Sequence, residues 1–216
     1  ARSYCISEDG LEYNVEIRED AFFHDGKPVT ADDVLFTIEK AVDPTIKRPK
    51  RGNWEGIVVE KIDSKNLRFI LKKPYSPFVE NLSLGILPRH IWEEASVEEF
   101  PFSQWNLEPL GSGPYKVESL KRNESGIPTF MELSSFKKHI GGRPYISNVS
   151  LRFFRDEEEL VNAFESGSVD AAAGITVAEA TRLREAGFNI IHTPMTRIFG
   201  AFFNQNHAPL FSNNLR

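Results

Sequence analysis

The chain has 216 residues, of which 40% are hydrophobic and 26% charged, and its formal net charge is −5. These proportions are ordinary for a globular protein, and the length suits one large domain or two small ones. The acidic balance gives no electrostatic reason to bind nucleic acid, and no run approaches the roughly 18 apolar residues of a membrane span. The single cysteine, Cys5, excludes an internal disulfide and any metal site built from several cysteines.

The first predicted elements are a strand, a turn and a capped helix. Apolar and polar residues alternate through residues 12–18, which predicts a half-buried strand. The Asp25-Gly26 pair predicts a turn over residues 24–28. Thr30 then caps a helix that Pro44 ends. The helix has one apolar face, formed by Val34, Leu35, Ile38, Ala41 and Val42.

A hairpin and short helices are predicted next. Residues 57–62 and 67–71 are strand-like and flank a polar turn over residues 63–66. Residues 78–84 and 90–95 are predicted to form short helices. Residues 98–110 are rich in Pro and aromatics without a period, so we expect them to cross between two lobes.

The pattern changes at a Gly-Ser-Gly-Pro turn over residues 111–114. Strands are predicted at 115–118, 130–133 and 149–153. Two helices follow, capped by Asp156 and Thr176 and ended by Gly167 and Gly187. Further strands are predicted at 169–173 and 188–192, so this half should form an α/β layer with βαβ units.

The sequence gives only weak signals for a catalytic or a metal-binding site. The histidines are too far apart in sequence for the usual ligand spacing, so no metal site is predicted. They are His24, His90, His139, His192 and His207. His24-Asp25 resembles a base beside its orienting carboxylate, but neighbours in a turn rarely face each other and no nucleophile motif accompanies them. A turn held by hydrogen bonds is the favoured interpretation, and no catalytic residue is predicted.

Two other patterns have structural explanations. Gly111-Ser112-Gly113 lacks the Lys-Ser/Thr of a phosphate loop, so we predict a turn in which close backbone approach demands glycine. The paired carboxylates at 32–33 and 157–159 fall in first helical turns, where the helix dipole stabilises negative charge.

The apolar run over residues 199–203, followed by Asn204, leaves two interpretations open. It predicts either a buried strand before a turn or a strand that lines a cleft, where Gly200 and Ala201 leave room for a ligand.

Residues 15–34 resemble the hallmark of family 5 extracellular solute-binding proteins. Their pattern is a strand ending in Leu-Arg, then Phe-His-Asp-Gly-x-Pro-Val-Thr-Ala-x-Asp-Val, and Ile17 replaces the usual Leu here. Three further blocks agree in order: residues 109–115 with Ser112 for Thr, residues 154–170, and residues 203–216. The resemblance covers essentially the whole chain. Because family members are more than twice as long, and because the chain lacks an initial Met and a closing element, we expect an internal segment of a longer protein.

The resemblance implies an α/β fold of the periplasmic binding protein type II kind. That fold has two lobes joined by a hinge, and it contains mixed sheets flanked by helices. This segment would contain only part of it. Residues 1–108 would form part of a smaller α+β lobe, and residues 109–216 part of an α/β ligand-binding lobe that leads into the missing second lobe. Phe199, Ala201, Phe202 and Asn204 would line the cleft. The lobe junction would include Gly111, Gly113 and Tyr115.

The function implied is the substrate-binding component of an ABC importer, which is not an enzyme. It would capture peptides and deliver them to a membrane permease. We expect a periplasmic or cell-surface monomer that needs no cofactor. The sequence does not decide whether the full-length protein has a lipid anchor. Nickel, heme or an oligosaccharide is the alternative ligand within the family. A hydrolase that uses His24-Asp25 is the remote alternative from another class.

Overall fold

The computed structural model describes residues 1–46, 51–96 and 98–193. The chain divides into two compact units, residues 1–154 and residues 155–216, which are described separately. The predicted boundary after residue 108 falls inside the first unit, between its two sheets, and stays a prediction. None of the helices in the described ranges combines the length and apolarity needed to cross a membrane.

The first sheet has four antiparallel strands in the order β1-β2-β4-β3. Its strands are β1 (Ser3–Ile6), β2 (Glu12–Glu16), β3 (Val58–Lys61) and β4 (Asn66–Ile70). In β2 the alternation predicted from sequence is confirmed, because Tyr13 and Val15 are buried while their neighbours are half-buried. The predicted hairpin is confirmed as well, with Val59 opposite Phe69 across β3 and β4.

Helix α1 (Ala31–Val42) begins where the sequence predicts. The carboxylate of Asp33 accepts hydrogen bonds from the backbone N–H (2.9 Å) and the hydroxyl (2.6 Å) of Thr30. Its second oxygen accepts from the backbone N–H of Arg89 at 2.8 Å. The Thr37 hydroxyl donates to the Asp33 carbonyl (2.7 Å) and accepts from the Leu87 N–H (2.9 Å). These two buried polar side chains therefore fasten α1 to the segment around residues 87–89.

An aromatic cluster forms the main core against the first sheet. Phe78 is fully buried, and its ring centroid lies 4.8 Å from that of Tyr13, 5.7 Å from Phe69 and 5.9 Å from Trp54. Edge-on and tilted ring pairs of this kind add to the stability that burial alone supplies. A second cluster packs on the other side of α1 and comprises Phe36, Ile46, Trp92 and Phe100.

The connections hold short helices. They are α2 (Phe78–Asn81), α3 (Arg89–Trp92) and 3-10 turns over Arg51–Asn53, Phe100–Phe102 and Gln104–Asn106. Helix α2 lies within its predicted range, whereas α3 begins one residue before its predicted range, and both helices are shorter than predicted. Pro77 and Pro88, at their N-caps, supply the fixed φ that suits a helix start.

The second sheet is an antiparallel meander of three strands, of which the first two have eight residues each. They are β5 (Tyr115–Arg122), β6 (Pro128–Ser135) and β7 (Asn148–Arg152). Irregular register interrupts the pairing of β5 with β6 between Val117 and Ser119 and again between Lys121 and Arg122. Such bulges bend a strand and increase its local twist.

The second unit confirms the two predicted helices and contradicts the strand predicted between them and the strand predicted after the second. Helices α4 (Glu157–Glu165) and α5 (Val177–Glu185) are capped by Asp156 and Thr176, each accepting from the N–H three residues later. Arg182 joins them by donating to Glu165 of α4 at 2.9 Å, and it also donates to Glu179 of its own helix at 2.8 Å. Both Gly167 and Gly187 have positive φ, as predicted for helix ends.

The predicted strands at 169–173 and 188–192 do not form, so the predicted βαβ units are wrong for the described part of the chain. A strand needs a hydrogen-bonded neighbour, and neither stretch pairs with another described segment. The first stretch also consists of one Val, one Asp and three Ala, and both Asp and Ala are depleted in strands. Every strand pair that the structure describes is antiparallel.

Sequence patterns gave no indication of β1. All four of its side chains are exposed, so it lacks the buried alternation that marks β2. It pairs with β2 from Ser3 opposite Glu16 to Ile6 opposite Tyr13. Cys5 lies on this edge strand as an exposed free thiol.

Candidate functional site

The candidate site is built around the turn over residues 24–28, the centre of the hallmark motif. Asp25 accepts a hydrogen bond from the Lys27 N–H at 3.0 Å, and Gly26 has φ +87°, a conformation that favours glycine. The Phe23 N–H donates to the Lys27 carbonyl at 2.8 Å and closes the turn. The Asp-Gly pair therefore forms the turn that the sequence predicts.

His24 fastens this turn to the segment that leads into the second sheet. Its backbone N–H donates to the Gly111 carbonyl at 2.8 Å. The Gly111 N–H donates to His24 Nδ1 at 3.3 Å, and His24 Nε2 lies 3.1 Å from the Gly113 carbonyl. The ring also packs edge-on against the buried Phe136, with centroids 5.1 Å apart. One half-buried residue thus connects the hallmark turn, the glycine turn and the end of β6.

These contacts require a neutral imidazole. Because Nδ1 accepts from Gly111, the ring hydrogen belongs on Nε2, where it is donated to Gly113. Burial lowers the pKa of His24, and the positive charge of Lys116 acts in the same direction. The Gly113 carbonyl and Asp25 oppose this effect and do not reverse it. His24 is accordingly uncharged at neutral pH, and its role at this position is to hold two segments together.

His24 and Asp25 do not form a dyad. Asp25 instead lies 2.7 Å from Nε2 of His90, while both ring nitrogens of His24 are used by the glycine turn. Burial raises the pKa of Asp25, but hydrogen bonds from the Lys27 N–H and His90 outweigh it, so the net shift is downward. The favoured interpretation of this pair as a hydrogen-bonded turn is confirmed by these contacts.

Two of the three predicted junction residues lie beside His24, and the third, Tyr115, contacts a different segment. Gly111 and Gly113 are both bonded to His24. The Tyr115 hydroxyl donates to the Ile146 carbonyl at 2.9 Å. The expectation that tight backbone approach demands glycine is wrong. A Cβ on Gly111 would meet only a His24 ring carbon at 3.8 Å, and one on Gly113 would meet nothing within 4 Å. Neither glycine is among those with positive φ.

The other predicted site residues divide into two groups. Phe199, Ala201, Phe202 and Asn204 lie outside the described residues. The paired carboxylates have structural partners: Asp32 pairs with Lys61 at 2.8 Å, Asp33 caps α1, and Glu159 pairs with Arg155. Within the ranges that the structure describes, no three His, Cys, Asp or Glu side chains converge as a metal site would require.

Sequence reasoning missed the basic groups next to His24. Lys116, Lys137, Lys138 and Arg143 line an open cleft beside the hallmark turn. The only sequence signal was the Lys137-Lys138 pair directly after a strand, which by itself is usually a solvated surface.

Comparison with known proteins identifies the family. All residues from 1 to 216 match the family described as bacterial extracellular solute-binding proteins, family 5 Middle. The chain is 30% identical over 174 residues to the oligopeptide-binding protein AppA of Bacillus subtilis (strain 168), which covers 79% of this chain and 31% of that protein.

Solved structures agree with the sequence match. The oligopeptide-binding protein AppA from Bacillus subtilis in complex with a nonapeptide superposes with a TM-score of 0.69 at 29% identity, covering 78% of this chain and 33% of that one. NikZ from Campylobacter jejuni in complex with Ni(L-His) superposes with a TM-score of 0.68, also at 29% identity, covering 78% and 33%.

The chain spans about a third of the length of these relatives, at 31% to 33%. Its fold class is that of the periplasmic binding proteins, with sheets flanked by helices, as the resemblance implied. The match to the family extends over every residue of the sequence. The chain therefore belongs to the bacterial extracellular solute-binding proteins of family 5.

Proposed function

We propose that this chain is part of the substrate-binding component of an ABC importer that captures peptides in a cleft between two lobes and delivers them to a membrane permease. The observation that carries the proposal is the likeness to the Bacillus subtilis AppA structure, which was solved with a nonapeptide. A cleft that closes on a peptide removes it from water, so apolar contact contributes to affinity. Closure also shifts the population of lobe arrangements, which a permease can recognise.

Residues 199–204 supply the cleft wall in this proposal. Phe199, Ala201, Phe202 and Asn204 would contact the ligand, and the phenyl ring of Phe202 favours an apolar part of the peptide. The junction at Gly111, Gly113 and Tyr115 would act near the boundary between residues 108 and 109. The hydrogen bonds between His24 and the glycine turn, one accepted from Gly111 and one donated to Gly113, support a fixed arrangement of the hallmark turn at that point.

A nickel complex is the second candidate ligand. NikZ, solved with Ni(L-His), resembles this chain as well as the peptide-binding protein does, with TM-scores of 0.68 and 0.69. In either case the protein binds its solute without catalysis, outside the cytoplasm, and as a monomer. The family consists of solute-binding proteins, and the engagement of His24 by backbone groups disfavours a hydrolase.

Calorimetry on the complete gene product separates these ligands. We expect saturable binding of a mixed peptide library and no binding of nickel–histidine or oligosaccharides under the same conditions. Tryptophan fluorescence offers a second signal, because the chain contains three tryptophans. Saturation by nickel–histidine with no response to peptides would replace the peptide proposal with the nickel alternative. Turnover of a peptide that disappears in His24→Ala would contradict the binding role altogether.

A further inference from the structure

We propose that the basic cleft beside the hallmark turn binds a small solute that carries several anionic oxygens, as phosphate and the di- and tricarboxylates do. We define the basic cleft by four cationic residues, Lys116, Lys137, Lys138 and Arg143. The inference is independent of peptide capture, since none of the four residues that define the basic cleft is among residues 199–204, on which that proposal depends.

Four separate segments build the cleft. The hallmark turn at residues 24–26, the start of β5 with Lys116 and Glu118, the end of β6 with the residues after it, and the connection into β7 enclose about 520 Å³. That volume lies within the range of small-molecule sites, which extends from about 300 to 1,000 Å³. The Phe136 N–H donates to the Pro114 carbonyl at 2.8 Å, and the Ser135 N–H donates to the Ser147 carbonyl at 2.7 Å. Backbone hydrogen bonds therefore fix the walls relative to one another.

The charges in the cleft are unbalanced. Its two carboxylates are already engaged, since Asp25 bonds to His90, and Glu118 pairs with Lys116 at 2.7 Å and accepts from the Ser134 hydroxyl. The hydrogen bonds from Lys116 and Ser134 lower the pKa of Glu118. Among the described residues, Lys137, Lys138 and Arg143 take part in no ion pair. A ligand with anionic oxygens would supply the missing negative charge.

The donors present suit oxygen acceptors. The planar guanidinium of Arg143 can donate two parallel hydrogen bonds to one carboxylate or phosphate, and the lysine ammonium groups act as point charges. Arg143 already donates to the Ser147 hydroxyl at 3.2 Å, which holds it at the cleft wall. Lys138 lies over the ring of Phe22, with its ammonium 5.0 Å from the centroid. The side chains of Ser135 and Asn148 add neutral groups to the lining.

The basic cleft differs in charge from the chain as a whole. The formal net charge is −5, so acidic residues are in excess over the chain as a whole, whereas four cationic residues gather at the basic cleft and attract anions there. Attraction at such an open surface is screened by salt, so binding should weaken as ionic strength rises.

Calorimetry with phosphate and with citrate, each at an ionic strength matched with sodium chloride, tests the inference on the 216-residue chain. We expect one saturable site with a dissociation constant of about 1 mM or below, equivalent to about −4 kcal/mol. Tighter binding of citrate identifies carboxylates as the preferred chemistry, and tighter binding of phosphate identifies phosphate.

Variants locate the site. Lys137→Glu and Arg143→Glu should each weaken binding at least tenfold, whereas Lys73→Glu, an equal charge change at an exposed lysine outside the cleft, should change it less than twofold. Lys137→Gln should weaken binding to a smaller extent, and it provides a milder change if charge reversal disturbs folding. Absence of saturable binding by both anions up to about 10 mM, roughly ten times the expected constant, or equal losses in Lys137→Glu and Lys73→Glu, would overturn the inference.

Discussion

His24→Ala tests whether one imidazole holds the hallmark turn to the glycine turn. The substitution removes two hydrogen bonds, one accepted from Gly111 and one donated to Gly113, and the edge-on contact with Phe136. A neutral hydrogen bond contributes roughly 0.5–1.5 kcal/mol, so the two together account for about 1–3 kcal/mol. Because the ring is half-buried, we expect the free energy of unfolding at pH 7.5 to fall by about 2 kcal/mol, within that range.

The pH dependence provides an independent check. The pKa of His24 is lowered in the folded state, so the unfolded chain takes up the proton first as pH falls. The stabilisation by His24 is therefore complete above the unfolded pKa of about 6.5 and is lost as pH decreases below it. His24→Ala has no such group. The difference between the parent and the variant should narrow between pH 7.5 and pH 5.

Urea denaturation followed by circular dichroism measures both effects. His192→Ala is the matched control, because it removes an exposed imidazole and should change the free energy of unfolding by less than about 0.5 kcal/mol. If His24→Ala is no less stable than His192→Ala, or if the difference from the parent is the same at pH 5 and pH 7.5, the assignment of His24 as a fastening residue is refuted.

Three further substitutions test other parts of the structure. Gly113→Ala should leave the free energy of unfolding unchanged or raise it by up to about 1 kcal/mol in urea denaturation, because an added Cβ meets nothing within 4 Å. A decrease in the free energy of unfolding would show that glycine is sterically required at this position after all. Phe78→Ala should cost about 3–5 kcal/mol in the same assay, whereas Phe102→Ala, at an 88% exposed position, should cost less than about 0.5 kcal/mol; similar losses would place Phe78 outside the core. Phe202→Asp in the complete gene product should weaken binding of apolar peptides at least tenfold, about 1.4 kcal/mol, in calorimetry; unchanged affinity would remove Phe202 from the proposed cleft.

The elements predicted correctly are those whose signals lie within a few residues. Thr30 and Asp33 mark the start of α1, Asp156 marks the start of α4, and the alternation around Tyr13 marks β2. Local hydrogen bonding and burial determine each of these features, so a short window of sequence contains the information.

The features that were predicted wrongly or missed depend on contacts between distant parts of the chain. The expected strands at 169–173 and 188–192 had suitable spacing but pair with no described neighbour, and β1 formed with four exposed side chains because β2 offered an edge. The partners of His24 lie 87 and 89 residues away, a separation that no local pattern reveals. The hallmark motif could be recognised in the sequence, whereas the hydrogen bonds of His24 could be identified only from the structure.

The position of Cys5 has a practical consequence for work on this protein. The thiol is exposed on β1, which is an edge strand among the strands that the structure describes, and no described strand lies between it and an approaching second molecule. In an oxidising buffer two copies can therefore become covalently joined through this residue, and a gel without reductant would show twice the mass of the chain. Such a dimer should vanish with dithiothreitol or in Cys5→Ser, which separates an artefact of oxidation during purification from genuine self-association.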